Sequence, residues 1–223
     1  MVAPDRVAST APALVAQLCL ASASPRRSEI LSRAGFAFEV DAARLDEGPG
    51  VEGFDPRTLV VALAEAKAAS VARRRPAQIV LAADTLVVLD GEVLGKPRNP
   101  SEAATMLLRL QGRSHIVITG VAVSGASGRG AGAETTEVHF RYLSEDEIGA
   151  YVASRSPMDK AGGYGIQDRP FSPASGISGC YLNVVGLPLC LTGRLLAKAG
   201  ALRADAAAEG LACPGHDFVG GSP

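Results

Sequence analysis

Strand-length apolar runs alternate with well-signalled helix starts along this chain, and that alternation limits the possible folds more than any other feature. Leu14 to Leu20 reads as a buried strand, Ala21 to Ser24 as a small-residue turn, and Pro25 to Ala34 as a helix closed by Gly35. Phe36 to Val40 follows as a second strand. Asp55-Pro56 is an N-cap and first-turn pair opening a long helix to about Arg73. Ile79 to Ala83 and Leu86 to Leu89 are β-rich runs, and Asp90-Gly91 turns a hairpin toward Val93 and Leu94. Asn99-Pro100-Ser101-Glu102 starts a helix ending near Gly112, and Ser144 with Glu147 is a capping box for another reaching about Ser154. Between them lie two strands, His115 to Val123 and Thr135 to Tyr142, around a glycine-rich turn at Gly125 to Gly132. After a glycine-dense stretch from Ala161 to Gly179, Tyr181 to Val185 reads as a strand and Pro188 to about Ala199 as the last helix. The expected class is α/β, one domain with a central mixed sheet flanked by helices. Its expected span is 14–203, behind a flexible leader (1–13) and before a disordered tail (204–223).

Charge and composition narrow the partners. Lys plus Arg is 22 against 23 for Asp plus Glu, a net charge of −1, so no global basic field would hold duplex nucleic acid. A small phosphorylated ligand needs only a local cationic pocket. Aromatics are 4% with no Trp, so the core is aliphatic. Four scattered cysteines without a Cys-x-x-Cys pair fit a reducing, cytoplasmic setting. Ala21-Ser22-Ala23 mimics a secretory cleavage site, but Gln17 and Asp5 spoil the pattern, and cleavage there would remove a strand. No run reaches the roughly 18 apolar residues of a membrane span.

Four segments carry candidate chemistry. In Ser22-Ala23-Ser24-Pro25-Arg26-Arg27, Ser24 caps and Pro25 starts a helix. Arginines at a helix N-terminus cost about 0.3–1 kcal/mol each, and the terminus itself favours an anion, so a phosphate or polyphosphate explains the pair. A serine-capped helix with both arginines in solvent explains only Ser24 and Pro25. Lys67 falls on an apolar stripe with Val60, Leu63, Ala64 and Val71, where a charge needs a partner. A second stripe through Leu59, Leu63, Ala66 and Ser70 would instead let it snorkel to water. Asp84 closes one apolar run and precedes another, so it is buried with a partner, aimed into a cleft at a strand end, or capping a turn. Gly95-Lys96-Pro97 returns from the hairpin toward it and lacks the spacing of a P-loop. Asp159 to Gln167 is glycine-rich and reads by itself as a flexible loop, though a Gln amide can both donate to and accept from a base edge. Cys213 with His216 is a weak metal pair.

Taken in order, Ser22 to Arg27, Asp84-Thr85, Gly95-Lys96-Pro97 and Asp159 to Gln167 resemble the motif set of the Maf family of nucleoside triphosphate pyrophosphatases, with similarity from about Leu18 to Leu196. The form of these motifs is similar to the branch acting on dTTP and UTP. The resemblance implies a Maf/ITPase-like fold with two lobes around a cleft, and attack of water on the α-phosphate, aided by a divalent cation, Mg²⁺ or Mn²⁺. It implies Asp84 as proton acceptor, Ser22, Arg26, Arg27, Lys67 and Lys96 around the triphosphate, and Glu47 with Asp84 at the metal. Ser24 joins them through its place in the first motif, while Arg26, Thr85 and Gln167 fall where base preference is set. Family members often form homodimers. The chain departs from the pattern at Arg169 to Gly176, where Pro170 and Pro173 argue against the usual strand. A non-catalytic nucleotide-binding regulator of cell division is the alternative, but a pure polyanion binder gains nothing from Asp84.

Overall fold

The computed structural model describes residues 14, 16–43, 55–126 and 128–202. The leader, the tail, Glu47, Cys213 and His216 lie outside the described residues. Among the described residues, seven strands form one mixed sheet in the order β2-β1-β3-β5-β6-β7, with β4 paired to β3. These are β1 (Leu18–Leu20), β2 (Phe38–Val40), β3 (Ile79–Leu89), β4 (Glu92–Leu94), β5 (Ser114–Gly125), β6 (Gly128–Phe140) and β7 (Ala174–Ser178). The helices are α1 (Pro25–Arg33), α2 (Pro56–Ala72), α3 (Pro100–Leu110), α4 (Glu145–Ala153), α5 (Tyr181–Val185) and α6 (Leu189–Lys198). β1 lies parallel to β2 and β3, and every other pairing is antiparallel. None of the helices is long and apolar enough to cross a membrane among the described residues.

Local chemistry explains most element starts. Asp55 accepts from Thr58 N–H, Asn99 from Glu102 N–H, and Ser144 and Glu147 form the expected reciprocal box. Asp90 and Gly91 both take positive φ (52° and 82°), the backbone a two-residue hairpin requires, so β3 turns directly into β4.

Four expectations need correction. Leu14 lies outside β1 and bridges to Leu202. Gly130 and Gly132 belong to β6 rather than to a turn, and a Cβ at either would come within 3.3 Å of Leu195 or Leu191, so their smallness lets α6 lie on the strand. Tyr181 to Val185 is a helix, closed by Gly186 at φ 120°. A regular strand does follow the two prolines, because both fall before Ala174, and β7 is an edge strand.

The core divides around a polar seam. On one face of the sheet, Leu18, Leu20, Leu31, Ile79, Leu81 and Val121 pack with α6, while Val87, Leu89, Val117, Val138 and Phe140 pack with α3 and α4. Side chains of a strand alternate between faces, so on β3 the residue between Ala83 and Val87 on this face is Thr85. On the opposite face, Val80 and Ala82 pack under Ala64, Ala68 and Val71 of α2, and Val88 packs with Val60 and Ile118. Between those two patches sit Asp84 and its register partner Gly120. A Cβ at Gly120 would fall 2.3 Å from the Val60 carbonyl oxygen, so a glycine is required for α2 to approach the sheet this closely.

Candidate active site

β3 is paired with β5 from Val80 to Val88 along one edge. Its other edge is covered by β1 only at Ile79–Leu81 and by β4 only at Val87–Leu89. The interval between them is open, and it carries Asp84 and Thr85. Asp84 therefore lies in mid-strand rather than at a strand end, but it sits where the neighbouring strands part. A cavity of about 820 Å³ opens there. Ser22, Ser24, Arg26, Arg27, Lys67, Asp84, Thr85, Lys96 and Gln167 all line it, so the structure brings together nine of the ten residues expected at the site. The tenth, Glu47, lies outside the described residues.

On the α2 face, Lys67 Nζ lies 2.5 Å from Asp84 Oδ1, with side-chain exposures of 11% and 13%. The apolar stripe was the right one of the two, because Val60, Ala64 and Val71 are fully buried while Ala66 is exposed. Lys67 thus emerges from a buried helix face toward a carboxylate, and both groups border the cavity.

The turn before α1 supplies the next group. Ser24 stands at the N-cap position but makes no side-chain cap hydrogen bond, which leaves the start of α1 open toward the cavity. Arg27 donates from Nε to Gly186 O (2.8 Å), from Nη1 to Ser22 Oγ (2.9 Å) and from Nη2 to Thr85 Oγ1 (3.0 Å). It ties α1, β3 and the end of α5 together. Arg26 instead reaches across the cavity mouth to Asp159 at 2.9 Å. Lys96 and Gln167 are exposed on the rim.

The segment 159–168 is anchored from beneath, contrary to the flexible-loop reading. Buried Lys160 donates to Ser156 O (2.5 Å) and Asp159 Oδ1 (2.9 Å) and lies 3.4 Å from Asp168 Oδ2. Tyr151 donates to Asp168 at 2.5 Å and accepts from Gly165 N–H at 3.1 Å. Burial and the Asp168 carboxylate both push the Tyr151 hydroxyl pKa up, so it stays a donor. Burial alone would raise the Asp159 carboxyl, but Lys160 and Arg26 outweigh it and hold it below its ordinary value. Behind Tyr164, which lines the cavity, His115 Nε2 lies 2.6 Å from the Tyr164 hydroxyl oxygen. Burial lowers the His115 pKa to about 4, keeping the ring neutral.

Asp159 and Lys160, which also line the cavity, fall in a segment the sequence singled out but had no role of their own there, and sequence reasoning missed Thr119 and Asn183 altogether. The last two are fully buried polar residues inside apolar runs, and that placement was the available signal. Among the described residues, no group of three or more His, Cys, Asp or Glu side chains is arranged to hold a metal ion.

Residues 17–199 match the family profile described as Maf-like protein. The chain is 51% identical over 189 residues to a dTTP/UTP pyrophosphatase of Moorella thermoacetica, covering 83% of this chain and 96% of that one. It is 50% identical to a dTTP/UTP pyrophosphatase of Symbiobacterium thermophilum, covering 82% and 94%. Against a dTTP/UTP pyrophosphatase of Thermomicrobium roseum the identity is 49%, covering 82% and 84%. With the motifs gathered on one cavity and similarity spanning nearly all the described residues, this chain belongs to the Maf-like protein family.

Proposed function

We propose that this protein is a nucleoside triphosphate pyrophosphatase that hydrolyses dTTP and UTP to the monophosphate and pyrophosphate. The convergence of Asp84 with Lys67, Arg26 and Lys96 on one cavity carries the reading, together with relatives of about half-identical sequence that bear that activity in their names. A triphosphate brings roughly four negative charges, and the open start of α1, the two lysines and Arg26 provide the compensating field. Ser22 and Ser24 lie at that same helix start and are suited to phosphate oxygens.

Asp84 is the proton acceptor in this reading. It is the carboxylate at the open interval of β3, and general-base assistance to water contributes typically about 10²–10⁴-fold. Lys67, already against Asp84, is placed to follow negative charge as it moves from the carboxylate to the phosphate. Thr85, Arg26 and Gln167 select the nucleoside, with Gln167 presenting an amide at the rim.

A divalent cation, Mg²⁺ or Mn²⁺, fits this donor set. Mg²⁺ is commonly held by one or two carboxylates plus substrate phosphates, so Asp84, with Glu47, would suffice without a protein-only cage. Bound there, the cation would neutralise phosphate charge. A cytoplasmic location and a homodimer complete the proposal.

A regulator that only binds nucleotide is disfavoured, because Asp84 adds a negative charge to a polyanion site, whereas in hydrolysis it accepts the proton of the attacking water. The test is pyrophosphate release from a panel of triphosphates with Mg²⁺ or Mn²⁺, for the native protein and Asp84→Asn. The native protein is expected to favour dTTP and UTP, and Asp84→Asn to bind them with little turnover. Release from no nucleotide would end the enzymatic reading.

A further inference from the structure

Arg27 donates to two hydroxyls on the cavity floor, Ser22 and Thr85. A guanidinium has no acceptor, so each hydroxyl commits a lone pair to it. Ser22 Oγ also accepts from Ser24 N–H at 3.3 Å. With both lone pairs engaged, Ser22 is left with its proton to offer a ligand.

Thr85 is wired the other way. Its Oγ1 lies 3.0 Å from Thr119 Oγ1, and the single hydroxyl proton of Thr119 goes to the Asn183 carbonyl at 2.8 Å. The proton between the two threonines therefore belongs to Thr85, which has none left for a ligand and one lone pair open. Asn183 holds this arrangement. Its Oδ1 accepts from Thr119 N–H (3.1 Å), and its Nδ2 donates to Val117 O (3.0 Å) and Thr136 Oγ1 (2.9 Å). A backbone donor at one end and a backbone acceptor at the other allow only one orientation of the amide. Thr119, Thr136 and Asn183 are all fully buried.

We infer that Thr119 and Asn183, neither of which lines the cavity, are positioning residues that with Arg27 set the polarity of its two floor hydroxyls, so that the pocket selects a ligand with anionic oxygens at Ser22 and an N–H or O–H donor at Thr85. This rests on the nucleotide reading above. In a pyrimidine nucleotide the donor is either the ring N3–H of thymine or uracil, where cytosine presents a lone pair, or the 3′-hydroxyl of the sugar.

The experiment measures two selectivity ratios, kcat/KM for dTTP over dCTP and for dTTP over 3′-deoxythymidine triphosphate. The native protein is expected to reject at least one analogue by about tenfold or more, and the analogue rejected identifies the donor. Thr119→Val returns the proton to Thr85 and should erase most of that ratio, while Thr119→Ser should keep it within about twofold. Calorimetric binding of the same nucleotides gives the ratios even if no pyrophosphate is released, so failure of the hydrolase reading is seen separately. A folded Thr119→Val with native ratios, or a native protein that rejects neither analogue, overturns the inference. Should Thr119→Val not fold, Thr85→Val removes the acceptor itself, and an unchanged ratio there is equally fatal.

Discussion

Asp84 and Thr85 are neighbours in β3 and leave it from opposite faces at the same open interval, yet their surroundings differ in kind. Asp84 meets a lysine ammonium on α2, a flexible four-carbon stem ending in a point charge. Thr85 sits in a directed chain from Arg27 through Thr119 to Asn183, with fixed donors and acceptors. A lysine can follow a moving charge, while a satisfied buried network resists rearrangement. In the proposed reaction the first face would serve proton transfer and the second recognition.

The largest expected effects test that division. Asn183→Leu removes the side-chain partner of buried Thr119 N–H and of the Val117 carbonyl and one of the three bonds of Thr136 Oγ1, and should lower stability by about 3–5 kcal/mol in denaturant unfolding. Asp84→Asn should do the reverse, cutting pyrophosphate release by about 10²–10⁴-fold while costing only about 1 kcal/mol of stability, because asparagine keeps an acceptor oxygen for the Lys67 ammonium at the border of the cavity. If Asp84→Asn unfolds the protein as readily as Asn183→Leu, the two faces are not distinct in the way described.

A smaller effect comes from His115, on the Thr85 side of the sheet. Its folded pKa of about 4 lies below the ordinary 6.5, so as pH falls the unfolded chain takes up this proton first. The stability it protects is whole above about pH 6.5 and is lost progressively toward pH 4, about 3 kcal/mol in all. His115→Phe should remove that segment of the pH–stability curve, read by thermal melting across the same range. Least affected should be the rim. Asp159 is 60% exposed, and Asp159→Asn should change stability by no more than about 1 kcal/mol, because Arg26 loses only a solvent-screened partner and buried Lys160 keeps the Ser156 carbonyl and the Asp168 carboxylate. A larger change would place the rim in the fixed part of the site.

What could be read from the sequence was local. Asp55, Asn99 and the Ser144–Glu147 pair announce their helices through bonds made within one turn, and all three form. Tyr181 to Val185 misled because paired valines favour a strand, whereas the segment is helical and carries Asn183 into the polar seam. Asp84 and Lys67 were recognisable as charges in apolar settings. Their meeting, and the break between β1 and β4 that exposes Asp84, depend on pairings across distant segments that no local pattern encodes. The hydroxyl chain was illegible for the same reason, since its members come from β3, β5, β6 and α5.

Hydrolysis of dTTP in ¹⁸O-labelled water tests the central claim most directly, because the label records which phosphorus the water attacked. With Asp84 activating water beside the α-phosphate, the heavy oxygen must appear in thymidine monophosphate and the pyrophosphate must remain unlabelled. Label in the pyrophosphate, or release of inorganic phosphate in its place, would contradict the account.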